Sequence, residues 1–206
     1  MSARRARRRW IAGVDIGAPG PPDRARGVVL ETPNPGWREV PLARMVERGI
    51  GLPVVLDNDA NCFALREWWF GAGRGAGRLI GLTLGPGIGG GIVLGGEVYR
   101  RASDAAAEVG HMSVDYAGRS CACGSRGCVE AYASGPAIAA RAAEGITGGA
   151  DSTLAAAADD PEGITAEAVC RTAAAGDRHA ILLLDENCTH PWELRSPTSS
   201  IFSIQM

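Results

Sequence analysis

Short apolar runs separated by turn-forming residues mark the first third of the chain. The runs over residues 10–16, 27–30 and 53–56 predict three strands, because each is short and the first and third lead directly into polar or turn residues. Helical spacing over 42–48 and 60–70 predicts two helices, which end at Gly49 and Gly71. Strands and helices in this alternation predict part of an α/β domain.

Glycines dominate the next stretch. Strands over 79–84 and 92–94 flank a glycine-lined turn at 85–91, which predicts a hairpin. Residues 108–130 predict a compact, loop-rich segment. The alanine-rich chain that follows predicts a helix capped by Ser134 and closed by Gly145, and another over 165–175. From about residue 183 to 206 no period remains, which predicts an irregular tail.

Composition and charge exclude several classes of protein. With 206 residues, 46% hydrophobic content and a net charge of -2, the chain has an ordinary globular composition and no bias toward nucleic acid or an acidic membrane. No apolar run approaches the roughly 20 residues of a membrane span. Five arginines within residues 1–9 predict a solvated basic arm, because no apolar signal-peptide segment follows them. A start codon assigned at the wrong position and a nucleic-acid arm are the alternatives.

Three of the six cysteines cluster near one histidine. His111, Cys121, Cys123 and Cys128 together offer the one imidazole and three thiolates that fill a tetrahedral zinc shell. A shell closed by four protein ligands predicts a structural zinc ion in a reducing cytoplasm. The alternatives are a Cys121–Cys128 disulfide or free buried thiols. Cys62, Cys170 and Cys188 have no partner in the pattern and are interpreted as core or tail residues.

A second group of polar residues suits a sugar. Asp59 directly follows a predicted buried strand, where a carboxylate can accept the proton of an attacking hydroxyl. Asn58 beside it can bind a neighbouring hydroxyl, although such a pair is often only a turn or a helix cap. Glu108 and Glu130 add carboxylates. His111 can bind metal through one ring nitrogen and a hydroxyl through the other.

The glycine run over residues 85–91 can present backbone N–H groups to a phosphate. A plain tight turn is an equally good interpretation of this pattern. The run has no Gly-Lys-Ser or Gly-Lys-Thr sequence, so it is not a Walker loop. A strand follows it, which excludes a dinucleotide-binding fingerprint.

Taken together, these motifs resemble the ROK family of bacterial sugar kinases and sugar-responsive repressors. Order and spacing agree from about Gly13 to about Ala140. The matching segments are residues 32–37 (TPNPGW), 57–61 (DNDAN), 85–91 (GPGIGGG), 108–112 (EVGHM) and 121–130 (CACGSRGCVE). The cysteine motif is the most specific of them.

The resemblance implies an actin-like ATPase (ribonuclease H-like) fold, in which two α/β domains flank a cleft. It also implies ATP with Mg²⁺, a hexose acceptor (glucose above all) and a homodimer or homotetramer. Asp59 would be the general base toward the sugar O6 hydroxyl. The sugar would be held by Asn34, Asn58, Asp59, Glu108, His111 and Glu130. The glycines that approach the ATP phosphates would be Gly87, Gly89 and Gly90.

The chain departs from the family pattern in three places. No Asp-x-Gly-Gly-Thr turn precedes Trp10, and no counterpart of the adenosine-binding half follows about residue 180, so both domains are expected to be incomplete. We expect an arm at 1–9, a partial first domain at 10–57, a second domain at 58–182 and the tail at 183–206. Pro86 stands where the family usually has threonine and removes an N–H donor. Weak or absent kinase activity is therefore expected of this chain alone.

Two alternatives to a kinase remain at this point. A sugar-sensing repressor without its DNA-binding part would share the sugar-binding residues and would need a helix-turn-helix elsewhere. A sugar-binding remnant without catalytic activity would share them too. Asp59 favours a kinase, because only the chemical step requires a base at that place, whereas Pro86 favours the remnant.

Overall fold

The computed structural model describes residues 11–32, 36–100, 106–157, 163–189 and 204–205. Its strands are β1 (Val14–Ala18), β2 (Pro22–Asp23), β3 (Val28–Thr32), β4 (Trp37–Val40), β5 (Val54–Asn58), β6 (Arg78–Leu84), β7 (Ile88–Leu94), β8 (Glu97–Val98) and β9 (Ile204–Gln205). Its helices are α1 (Leu42–Ile50), α2 (Asp59–Phe70), α3 (Glu130–Ala133), α4 (Gly135–Thr147), α5 (Ala166–Ala174) and α6 (Arg178–Thr189). In the described part, no helix is long and apolar enough to cross a membrane.

Two compact units divide the chain. The first takes in the described residues up to Gly81 and those of the segment 90–107, and the second takes in Leu82–Gly89 and the described residues from Glu108 onward. The sequence pattern predicts the boundary between residues 57 and 58 instead. The two divisions differ because α2 follows β5 without a linker and packs against β1 and β5.

Strands β1 and β5 of the first unit pair in parallel. The register places Gly17 opposite Asp57 and Ala18 opposite Asn58. The carboxyl ends of both strands therefore lie side by side, which is where an open α/β sheet carries its ligand-binding residues. Ala18 and Leu56 of these two strands form a buried apolar cluster with Val29 and Ala43. The antiparallel strands β2, β3 and β4 form a separate three-stranded sheet.

A close approach between α2 and the hairpin strands explains several of the glycines. Strands β8, β7, β6 and β9 form a four-stranded sheet in that order. A Cβ atom on Gly91 would lie 2.5 Å from the Ala60 carbonyl oxygen and 2.6 Å from the Ala64 Cβ. The prediction of a turn over 85–91 was therefore wrong at its second half. Gly89 to Gly91 belong to β7. At Gly91, only glycine lets the strand pack this closely on α2.

Helices form the core of the second unit. Ala142, Leu154, Val169, Ala180 and Leu183 are buried together between α4, α5 and α6. Helix α4 begins after its predicted cap Ser134 and continues through Gly145 to Thr147, so the predicted end at Gly145 was wrong. Helix α6 continues to Thr189, which differs from the irregular tail predicted from residue 183. The predicted basic arm and the chain from 190 to 203 lie outside the described residues.

Candidate functional site

Two residues predicted to meet a sugar stand at the start of α2. Asn58 is the N-cap: its Oδ1 accepts hydrogen bonds from the backbone N–H groups of Ala60 (2.9 Å) and Asn61 (3.2 Å). Its Nδ2 donates to the Gly20 carbonyl oxygen at 3.2 Å, which ties the two turns of this sheet edge together. Asp59, the first residue of the helix, has an exposed side chain. A carboxylate here is stabilised by the positive end of the helix dipole.

A buried ion-pair network lies immediately before these residues, and it was not predicted from the sequence. Asp57 is 5% exposed, and its Oδ2 accepts from Nη2 (2.5 Å) and Nε (3.1 Å) of Arg100. Arg24 Nε lies 3.5 Å from the same oxygen. The other oxygen accepts from Asn61 Nδ2 at 3.1 Å and from the Asn58 N–H at 2.8 Å. Both oxygens of Asp57 thus hold the turn that presents Asn58 and Asp59.

The balance of forces on Asp57 keeps it charged. Burial alone would raise the pKa of Asp57, but the hydrogen bonds from Arg100, Asn61 and Asn58 outweigh it and hold the pKa below the ordinary value of 3.8. The nearby Cys62 thiol responds in the opposite sense. Burial, followed by the charges of Asp57 and other carboxylates, raises the pKa of Cys62 to about 11, which keeps this thiol protonated near neutral pH.

We expect Asp57→Asn to lower the free energy of unfolding by about 3 kcal/mol near pH 7, because Arg100 then keeps a largely buried charge without its partner. The folded-state pKa of Asp57 is lowered, so its contribution is present above the unfolded pKa of 3.8 and is lost as the pH falls through the lower folded-state value. Urea unfolding across this range should therefore show the difference from wild type shrinking toward acid. Asp15→Asn is the matched control, since Asp15 is exposed on the neighbouring strand. An equal loss in both variants would contradict the network.

The four predicted metal ligands converge in the second unit. The ligand atoms of His111, Cys121, Cys123 and Cys128 all lie within 4.8 Å of one another. Cys123 Sγ lies 3.7 Å from Cys128 Sγ, and Cys121 Sγ lies 3.8 Å from His111 Nδ1. A tetrahedral zinc ion with Zn–S distances of about 2.3 Å has sulfur–sulfur edges of about 3.8 Å. The cysteines are free, so the alternative of a Cys121–Cys128 disulfide is wrong.

Backbone turns bring the sulfur atoms to these positions. The Cys121 N–H donates to the Ser125 carbonyl at 2.9 Å, and Gly124 adopts a left-handed φ of 87° inside this turn. Gly127 has a φ of 67°, and a Cβ atom there would overlap the Asp115 carbonyl oxygen. Glycine is therefore required at position 127 for two reasons, which are the left-handed φ and the lack of space for a Cβ atom. Gly124 is required by its dihedral angle alone, because among the residues that the structure describes no atom lies within 4 Å of a Cβ atom at that position.

The thiols of this cluster differ in acidity. A backbone hydrogen bond from Ser125, followed by one from the Cys121 thiol, lowers the pKa of Cys123. Burial, followed by hydrogen bonding with Cys123 and Cys121, raises the pKa of Cys128 to about 12. A metal ion must therefore displace a proton from Cys128, which makes its affinity fall toward acid. One imidazole and three sulfurs at tetrahedral spacing fit zinc well.

Glu108 and His111 flank a single 3-10 turn, Val109–His111. Because His111 faces Cys121 with Nδ1, its Nε2 is the nitrogen left for a hydroxyl. The Glu108 carboxylate is exposed and makes no hydrogen bond with the described residues. Ala107 just before it has a left-handed φ of 63°, which costs on the order of 1 kcal/mol for a residue with a side chain. Strained backbone of this kind clusters at functional sites.

Glu130 begins α3 two residues after Cys128, and its carboxylate reaches the β6–β7 hairpin. Its Oε2 accepts a hydrogen bond of 2.8 Å from the Ile88 N–H. Glu130 was predicted only as a sugar ligand, and this contact was not foreseen. Of the glycines assigned to phosphate, Gly87 lies at the tip of the hairpin, whereas Gly89 and Gly90 lie within β7. Pro86 is exposed at the tip.

The polar residues predicted to hold the sugar therefore fall into two groups. Asn58 and Asp59 lie together in the first unit, and Glu108, His111 and Glu130 lie in the second. Asn34 lies outside the described residues. Within the second unit, the metal cluster connects the segment that carries Glu108 and His111 to the segment that carries Glu130. The Val129 N–H donates to the Met112 carbonyl, and the Cys128 thiol donates to the His111 carbonyl.

Comparison with known proteins identifies relatives of two kinds. The chain matches the ROK family over residues 1–195. It is 43% identical to a glucokinase of Thermotoga maritima over 84% of this chain and 55% of that protein. It is 49% identical to a putative xylose repressor of Caldicellulosiruptor sp. strain Rt8B.4 over 62% of this chain and 32% of that protein. The chain spans about half or less of the length of these relatives.

The fold is shared with solved structures. A ROK family glucokinase from Streptomyces griseus, in complex with glucose and AMPPNP, superposes with a TM-score of 0.76 at 40% identity. The match covers 86% of this chain and 58% of that one. This likeness confirms the predicted α/β class and the actin-like ATPase fold.

Proposed function

Because the chain belongs to the ROK family, we propose that it is the sugar-binding part of an ATP-dependent hexose kinase that converts glucose to glucose 6-phosphate. The observation that carries this proposal is the exposed Asp59 carboxylate at the first residue of α2. The glucokinase relatives from Thermotoga maritima and Streptomyces griseus support it. A cytoplasmic location suits the free thiols of the metal cluster.

In the proposed reaction, Asp59 accepts the proton of the sugar O6 hydroxyl as that oxygen attacks the terminal phosphorus of ATP. Glu108 and Glu130 accept hydrogen bonds from other sugar hydroxyls, and His111 contributes Nε2. Asn58 keeps one side-chain N–H besides the one that bonds Gly20, and we assign it to the sugar as well. Asn34 is assigned to the sugar on the family resemblance alone.

Phosphate contacts are assigned to the backbone of Gly87, Gly89 and Gly90, with Mg²⁺ bound to ATP as charge neutraliser. Phosphoryl transfer depends mainly on positioning and on neutralising charge. The missing N–H of Pro86 removes one donor near this place, which could lower phosphate affinity by about 1 kcal/mol. A structural zinc ion held by His111 and the three cysteines is part of the proposal, as is a homo-oligomer.

A sugar-responsive repressor is the second candidate. The 49% identity to a putative xylose repressor over 128 residues favours it. Both candidates need the sugar-binding residues, but only the kinase uses Asp59 in a chemical step. The two also differ in the expected ligand, since a xylose-type regulator would prefer a pentose to a hexose.

Calorimetric titration with glucose tests the sugar site without relying on catalysis. We expect Glu108→Gln to weaken glucose binding about 10- to 100-fold, because a hydrogen bond to a charged group contributes about 1.5–3 kcal/mol. Glu97→Gln is the matched control, since Glu97 is an exposed carboxylate on β8. Unchanged affinity in Glu108→Gln would remove Glu108 from the site. Tighter binding of xylose than of glucose would favour the repressor.

A further inference from the structure

The tip of the β6–β7 hairpin is held by a carboxylate. The Ile88 N–H donates to Glu130 Oε2 at 2.8 Å, and Ile88 is 5% exposed. Two further contacts hold the same tip. The Gly135 N–H donates to the Gly85 carbonyl at 2.9 Å, and a Cβ atom on Gly110 would overlap the Ile88 carbonyl oxygen. The tip is thus packed between α3 and the 3-10 turn that ends at His111.

The space around Gly87 is taken up by this carboxylate. A Cβ atom on Gly87 would lie 2.8 Å from Glu130 Oε2 and 3.6 Å from its Cδ, and no other atom of the described residues comes within 4 Å. The φ of Gly87 is not left-handed, so its dihedral angle does not itself require glycine. Glycine is therefore needed here for one reason, which is the position of the Glu130 carboxylate.

We propose that Gly87 is a positioning residue for the hexose. It leaves the space in which Glu130 holds one oxygen on the Ile88 N–H. The other oxygen, Oε1, makes no hydrogen bond with the described residues and is aimed by this arrangement at a sugar hydroxyl. A hairpin whose glycines are assigned to phosphate thus also shapes sugar binding. The inference rests on the proposed function, in which Glu130 binds the sugar.

The decisive variant is Gly87→Ala, with Gly85→Ala as its matched control. The added methyl at position 87 displaces the flexible end of Glu130, so the chain should still fold. The methyl at position 85 has no atom of the described part of the chain within 4 Å and needs no left-handed φ. With no nucleotide present, we expect glucose affinity to fall about 10-fold in Gly87→Ala and to change less than about twofold in Gly85→Ala. If Gly87 contacted only phosphate, the glucose affinity of Gly87→Ala would be unchanged.

Amide hydrogen exchange at Ile88 supplies a measurement that needs no ligand. We expect exchange at Ile88 to accelerate about 10-fold in Gly87→Ala and in Glu130→Ala, and to stay unchanged in Gly85→Ala. Unchanged exchange in the first two variants would overturn the inference, whatever the chain binds. If Glu130→Ala loses glucose while Gly87→Ala keeps it, Gly87 has no positioning role. If Glu130→Ala keeps full affinity, the assignment of Glu130 in the proposed function fails instead.

Discussion

Asp59→Asn is expected to lower the rate of glucose phosphorylation by about 10²- to 10⁴-fold, the usual contribution of a general base. The amide is nearly isosteric with the carboxylate, but it cannot take the proton of the O6 hydroxyl. Its oxygen can still accept the 2.8 Å hydrogen bond that Asp59 Oδ1 receives from the Ala60 N–H. The start of α2 and the capping by Asn58 should therefore persist in the variant.

The measurement is a coupled assay for ADP with glucose and Mg-ATP, run beside calorimetric titration with glucose. A loss of rate with nearly unchanged glucose affinity is the expected pattern, because the proposed role of Asp59 is in the chemical step more than in ground-state binding. Asp15→Asn serves as the control, as Asp15 is an exposed aspartate of the same unit. Equal rates of ADP formation in wild type and Asp59→Asn, or no detectable rate in either, would contradict the catalytic assignment of Asp59 in this chain.

Residues close together in sequence could be predicted well. His111 and the three cysteines span only 18 positions, and the glycines between them restrict the turns, so their convergence could be inferred from spacing alone. The same holds for the Asn58 cap and for the helix that begins after Ser134. In each case the signal and the structure that it specifies lie within one turn or one loop.

Contacts between distant segments could not be predicted in this way. Arg100 follows Asp57 by 43 positions, and nothing in the local pattern of either residue indicates a partner. The one signal in the sequence was a carboxylate at the end of a buried strand, which requires a cation or several hydrogen bonds. Glu130 and Ile88 are 42 positions apart and were missed for the same reason.

Glycines and the last helix show a different limit. The run over 85–91 predicts a turn by composition, yet Gly91 is in a strand because α2 packs against it. Helix α6 was not predicted, because its apolar run at 181–184 is too short to distinguish a buried helix from a strand. Tertiary packing determines both the strand at Gly91 and helix α6, and the local propensities of the residues carry no information about that packing.

Removal of the metal ion is expected to abolish glucose binding as well as the ordered structure of the cysteine loop. Structural zinc contributes an apparent free energy of about 10–16 kcal/mol to small zinc domains, and the loop here has few buried apolar residues to replace it. His111 is itself one of the four proposed metal ligands, and Glu130 follows Cys128 by two residues. Loss of the metal should therefore disperse both sugar ligands, while the first unit with Asp59 stays folded.

Chelation of the purified chain, followed by metal analysis, circular dichroism and glucose titration, tests this directly. Cys128→Ser should reproduce the effect because Cys128 is fully buried, whereas Cys170→Ser should not, since Cys170 is an exposed thiol on α5. A second pair of variants tests the backbone turns independently of the thiols. Gly127→Ala should lower metal content far more than Gly124→Ala, because only the former collides with the Asp115 carbonyl. Full glucose affinity in metal-free protein would show that the metal does not organise the sugar site.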